Sequence, residues 1–270
     1  MWLRILPALS VVGLLGGCAG ATHQLPLVDQ TSLESAKGEL ASAPGKPSRH
    51  RASDSEVHTA VDTAVRRIRP AATELCLEMR LGVCEWNIVV SNDHSLNASA
   101  GANGTITINR GIVEYAANEE EIAMVVGHEI GHQAANHRAG GQRNAAVGAV
   151  IGGVLMGILG AVASARRPSR GSITAQSVAS GASIGATLGH LSYSKEQERE
   201  ADYLSALILY RAGVDLDKAR GFLVTMARAS GHKETGTLDT HPAGPERLAA
   251  WDKAVQEIRA SNGAVPKETR

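Results

Sequence analysis

The nine residues Met124-Val125-Val126-Gly127-His128-Glu129-Ile130-Gly131-His132 limit what this chain can fold into more than any other stretch. Read as a helix, they set His128 and His132 four apart on one face, where two imidazoles can meet one metal ion. Glu129 lies beside the first histidine, so its carboxylate can reach a metal-held water and act as general base. A solvated surface helix with two histidines would satisfy the same spacing. The residues around them (Val125, Val126, Ile130, Gly131) are apolar or small, which suits a buried helix instead.

A carboxylate cluster about seventy residues downstream supplies the other half. Ser194-Lys195-Glu196-Gln197-Glu198-Arg199-Glu200-Ala201-Asp202 opens a helix that continues through Leu204, Leu207 and Ile208 to about Tyr210. Glu198 and Asp202 share a face, whereas Glu200 points about 200° away at 100° per residue. By itself such a run reads as a solvated charged face. Coupled with the histidine motif, it offers Glu198 as third ligand and Asp202 as an acceptor that orients a ligating histidine. His137 is nine residues after His128 and falls about 180° from it on a continuing helix, which excludes it as the third ligand. The alternative spacing, a histidine six after His132, meets Arg138. Two histidines and a glutamate with water as fourth form a thermolysin-type zinc arrangement.

The N-terminus reads as an export signal over residues 1–17. Arg4 gives a positive start, and Ile5 to Leu15 form an apolar stretch too short to span a bilayer. Leu15-Gly16-Gly17-Cys18 resembles the bacterial lipobox, which would make Cys18 a lipidated mature N-terminus. By the same resemblance, Ala19 after the cysteine directs the chain to the periplasmic side of the outer membrane. A lipid anchor holds a protein at a membrane without a spanning helix. Cys76 and Cys84 would then lie in an oxidising compartment, where a pair tends to close. Eight residues of helix span about 12 Å, beyond disulfide reach, so the helix must end between them; Gly82 offers the stop.

Residues 18–53 are rich in Ala, Ser, Gly, Pro and Lys and read as a flexible tether. The folded domain is expected over 54–262, with a disordered tail at 263–270. Apolar residues at helical spacing run from Val57 to Ile68, and Pro70 breaks or restarts that helix. Residues 85–91 and 105–109 are strand candidates of a small antiparallel sheet, and Asn103-Gly104 signals a turn. Glu119-Glu120-Glu121 opens the histidine helix, with its carboxylates at the positive end of the helix dipole. Residues 145–191 form a Gly/Ala-rich hairpin inserted between the two metal-binding helices. Its first arm, Ala145 to Ala165, has the length and Gly-x-x-x-Gly spacing of a membrane helix. The second is dotted with Ser and Thr, so the pair either packs over the cleft or dips into a membrane. A lipid-anchored chain needs no second anchor, which favours packing over the cleft. The sum is an α+β, mainly helical fold. Net charge is zero, from 27 basic and 27 acidic residues, so no nucleic-acid partner is expected.

Gly127-His128-Glu129-Ile130-Gly131-His132 followed by Glu198-Arg199-Glu200-Ala201-Asp202 resembles the HtpX and CAAX-prenyl-protease family of zinc metallopeptidases. Asn97-Ala98, the glycine-bearing hairpin, Thr240-His241-Pro242 and Arg247 follow the same order of features. The resemblance covers about residues 57–260 and implies a zincin-like metallopeptidase domain. It implies that His128, His132 and Glu198 bind zinc, that Glu129 is the base, and that His241 and Arg247 line the cleft. His241 would either assist at the oxyanion or occupy the open zinc position. The lipobox points to the lipid-anchored envelope branch, acting on unfolded or misassembled polypeptides beside envelope assembly machinery. Lys195 departs from the arginine usual in relatives, and no tetratricopeptide period follows Gly213. The strand at Thr105 to Ile108 could take substrate as an added strand. The competing expectation is a non-proteolytic lipoprotein scaffold or chaperone-like binder with a structural zinc.

Overall fold

The computed structural model describes residues 20–43, 45–80, 84–101, 104–138, 193–230, 241 and 244–269. Export signal, Cys18 and hairpin 145–191 lie outside the described residues. Eight helices are present among the described residues: α1 (Gln30–Ser42), α2 (Asp54–Glu78), α3 (Arg110–Tyr115), α4 (Glu119–Ala134), α5 (Lys195–Arg211), α6 (Leu216–Ala219), α7 (Gly221–Ala229) and α8 (Pro245–Ala260). Three short strands, β1 (Asn87–Ser91), β2 (Ala98–Ala100) and β3 (Thr105–Asn109), complete the mainly helical domain.

Local signals account for where the helices start. Ser53 and Glu56 close a capping box at the head of α2, and Ser194 and Gln197 close another at α5. Asn118 caps α4 by accepting the Glu121 N–H at 2.9 Å. Pro70 sits inside α2 without ending it. That helix stops at Glu78, and Arg80 turns the chain at φ 53°. The turn brings the Cα atoms of Cys76 and Cys84 to 5.5 Å, and the two cysteines form a disulfide. The helix thus ends before Gly82, which is outside the described residues.

The sheet corrects the sequence expectation. Its order is β1-β3-β2, with β1 parallel to β3 and β2 antiparallel to it, so it is mixed and not antiparallel. The register runs Asn87 opposite Thr105 to Ser91 opposite Asn109, and Ala98 opposite Ile108. The cause is the added strand β2. Three small residues in an Asn/Ser/Gly-rich loop carry little strand signal, yet they pair back on β3 across a turn where Gly104 takes φ 74°. Because β3 is paired on both sides, Thr105 to Ile108 cannot accept another strand. Gln133 of α4 donates to the carbonyls of Gly101 and Thr105, tying the sheet to the histidine helix.

The ends also depart from expectation. Within 18–53, α1 is capped by Asp29 and buries Ala36 and Leu40 against the domain, where α1 packs on α8. Arg220 locks it there by paired contacts to Glu39 at 2.7 Å and to Asp252 at 2.6 and 2.9 Å. The tail is not loose either: Gln24 N–H donates to Lys267 O, Thr269 N–H donates to Thr22 O, and His23 bridges Glu268. Two buried residues in thirteen and one β-bridge leave almost no pattern in the sequence.

The core lies where α2, α4, α5, α7 and α8 meet, with Ile68, Met124, Leu207, Phe222 and Trp251 almost fully buried. Burial of each such side chain contributes about 1.5–3 kcal/mol. Among the described residues, helices α4 and α5 make the most extensive contact. A Cβ at Gly127 would lie 2.7 Å from Ser205 Oγ, and one at Gly131 would lie 2.8 Å from the Ala201 carbonyl. Two glycines on α4 thus face Ala201 and Ser205 on α5, and the backbones approach closely. Ser205 Oγ then donates to Met124 O at 2.8 Å across the seam. Among the described residues no helix is long and apolar enough to cross a membrane.

Candidate metal centre

The close α4–α5 seam carries every expected ligand. His128 and His132 project from α4 beside Gly127 and Gly131, and Glu198 and Asp202 project from α5 on either side of Ala201. All four are 3% exposed or less. His128 Nδ1 donates to Asp202 Oδ1 at 2.9 Å, which leaves its Nε2 to face Nε2 of His132 at 3.0 Å. Glu198 Oε1 lies 3.2 Å from His132 Nε2, and Oε2 lies 3.5 Å from His128 Nε2.

His241 joins them from the loop before α8. Its Nδ1 is 3.1 Å from Glu198 Oε1 and 3.2 Å from His128 Nε2, and its Nε2 is 3.4 Å from Glu129 Oε1. One ligand atom each from His128, His132, Glu198 and His241 lies within 4.8 Å of the others. Four ligands about 2.0–2.1 Å from a tetrahedral zinc would stand about 3.3 Å from one another. The separations of 3.0, 3.1, 3.2 and 3.2 Å around this ring match that edge length. The donor set of three imidazoles and a carboxylate also suits zinc. Glu129, 1% exposed, keeps one carboxylate oxygen, Oε2, with no hydrogen-bond partner. A buried carboxylate oxygen without a partner is costly in a merely structural position.

Arg247, on α8, holds the back of the site. Its Nε and Nη2 donate to Asp202 at 2.6 and 2.9 Å, and its Nη1 is 3.1 Å from Glu198 Oε2. The arginine expected to line the cleft does line the pocket beside Glu129, and it also braces two carboxylates. Burial would raise Asp202, but Arg247 and the bond from His128 hold its carboxyl below the usual range. Burial likewise opposes ionisation of Glu198, and the His241 and Arg247 charges overcome it, keeping that carboxyl well below its ordinary value. The two histidines diverge. Burial and Arg247 push His128 down, yet its bonds to Asp202 and Glu198 win and carry it up to about 9. Burial and the neighbouring His128 hold His132 well below its ordinary value.

Three residues beyond the expected set also belong here. Tyr193 stacks on the His132 ring with centroids 3.8 Å apart. His137 reaches His132, Nδ1 to Nδ1, at 2.9 Å. The 180° separation read from the sequence extended a helix that ends at Ala134; past it Asn136 takes φ 53° and swings His137 back. His137 remains outside the ligand cluster. Glu200 does point away from Glu198, but into the protein: it is fully buried and bonds His137 Nε2 at 2.8 Å.

Residues 62–255 match the model of peptidase family M48. The chain belongs to that family. The span covers most of the chain and includes every residue of the metal cluster, while α1 and the segment before it precede it. A comparison with curated proteins finds no match. As a member of this metallopeptidase family, the chain brings the His128-Glu129-x-x-His132 helix and Glu198 into one cluster able to hold a metal.

Proposed function

We propose that this M48 peptidase is a zinc endopeptidase that hydrolyses unfolded or misassembled proteins of the bacterial cell envelope. The carrying observation is the close ring of ligand atoms beside the buried carboxylate of Glu129, whose Oε2 has no hydrogen-bond partner. His128, His132 and Glu198 would hold the zinc, which supplies Lewis acidity toward a water and the substrate carbonyl. Glu129 takes the proton of the attacking water and delivers it to the leaving amide nitrogen as the C–N bond breaks. Asp202 fixes the His128 ring, and Arg247 fixes Asp202. Substrate would pair with β2, the edge strand among the described residues, at Ala98 to Ala100, where backbone contacts give little side-chain selectivity. A small cavity lined by Leu96, Ala98, Met124, Phe222 and Met226 adjoins Glu129 and gives the base an apolar wall.

The envelope placement rests on the signal-like residues 1–17 and the lipobox-like approach to Cys18. Thr22 and His23 are bonded to buried Glu200 only four and five residues after Cys18, so a lipid on Cys18 would hold the body close to the bilayer.

One observation favours the competing reading of a structural zinc in a non-proteolytic scaffold: His241 supplies a fourth protein ligand, and structural sites are closed. Glu129 distinguishes the two, since a structural site has no use for a base. The test is casein cleavage before and after treatment with a zinc chelator. Cleavage that stops and returns with stoichiometric zinc is expected. Zinc bound one to one with no cleavage of any unfolded protein would establish the scaffold.

A further inference from the structure

Outside the ligand cluster, a buried chain of polar groups runs from His132 to the segment in front of α1. For His132 to turn the lone pair of Nε2 toward an ion, its proton must be on Nδ1, which then donates to His137 Nδ1. His137 Nδ1 is thereby the acceptor, so its proton sits on Nε2 and is donated to Glu200 Oε2. One tautomer assignment satisfies both contacts.

Glu200 is held in turn by the N-terminal segment. The Thr22 N–H donates to both its oxygens at 3.0 and 2.9 Å, and Thr22 Oγ1 donates at 2.6 Å. The His23 N–H donates at 2.9 Å, and its Nδ1 meets the same oxygen. His23, His132, His137 and Glu200 are all 4% exposed or less. Burial would raise Glu200, but the bonds from His137 and His23 outweigh it and bring its carboxyl down to about 2. Residues 22–24 are themselves fixed by 267–269. None of Thr22, His23 or the C-terminal segment falls in the family span.

We propose that His137 and Glu200 are positioning residues for His132, and that Thr22 and His23 lock this relay, so the N-terminal segment holds the metal centre from outside. The proposal rests on the zinc reading above. A bond from the far nitrogen of a ligating histidine fixes its ring and raises its basicity, and loss of such a partner costs about 10–100-fold in metal affinity.

His137→Leu removes the acceptor, whereas His137→Gln restores one through its amide oxygen and keeps an N–H toward Glu200. Zinc affinity would be measured on the full chain by competition with a chromogenic chelator. The visible spectrum of the cobalt form reports ligand geometry, and melting in excess chelator reports folding alone. His137→Leu should weaken zinc by about 10–100-fold and change the cobalt spectrum, while His137→Gln stays within about fivefold of wild type. Thr22→Val with His23→Leu should weaken zinc by about tenfold. Wild-type affinity in that double variant overturns a lock made by the Thr22 and His23 side chains. Unchanged affinity in His137→Leu, or equal losses in Leu and Gln that follow the chelator-treated melting temperature, overturns the relay. A wild-type protein that holds no zinc removes the functional reading along with it. A wild type that binds zinc and cleaves, beside a His137→Leu that binds equally well, removes the relay alone.

Discussion

At the residue scale, the sharpest test falls on His241. Its Nδ1 completes the four-atom ring with His128, His132 and Glu198, and a water would need that position. We expect His241→Ala to raise cleavage of an unfolded substrate several-fold while zinc stays bound to the remaining three ligands. A fall in kcat of about 100-fold would instead assign His241 to the oxyanion. Loss of zinc with no gain in activity would make it a structural ligand. The spacing of four revealed His128, His132, Glu198 and Asp202 because those residues lie within unbroken helices, where sequence offset is angle. His137 was mis-phased because α4 stops before it. Tyr193 left no signal, since a ring that lies outside any helix has no fixed angular offset from its partner. His241 and Arg247 were visible through family resemblance alone, for the same reason.

At the scale of elements, the site depends on how closely α4 and α5 approach. The glycines of Gly127-His128-Glu129-Ile130-Gly131-His132 stand four apart on the face toward Ala201 and Ser205, so the seam and the ligands share one repeat. Gly131→Val would drive a branched side chain into the Ala201 backbone, where even a Cβ would be 2.8 Å from the carbonyl. It should cost about 1–3 kcal/mol in urea denaturation and lose most bound zinc, because the overpacked helices separate His132 from Glu198. Normal stability and normal zinc in that variant would show that the seam does not set the ligand distances. Helix phases were legible because amphipathic spacing is long-range in the sequence. The sheet was not: β2 has three small residues, and its pairing partner is chosen by the turn at Gly104 and by Gln133 of α4, not by a pattern of its own.

At the scale of the molecule, residues 22–24 and 267–269 pair with each other, and Thr22 and His23 hold Glu200 behind the metal cluster. The expected tether became α1 and a strand-like segment, and the expected loose tail pairs with that segment through Gln24, His23 and Thr269. Composition misled there because Ala, Ser and Gly suit both a linker and a short helix that buries only Ala36 and Leu40. The Cys76–Cys84 disulfide pins the end of α2 near the start of β1, as the need for a helix stop between them required. The whole fold thus braces one site: α4 and α5 bring the ligands, α8 brings Arg247, and the ends hold Glu200. The central claim is that this site is a zinc peptidase whose base is Glu129. Glu129→Gln removes the base and no ligand, so zinc measured by metal analysis should stay at one per chain while casein cleavage falls to background. Cleavage that persists in the zinc-loaded variant would contradict the claim.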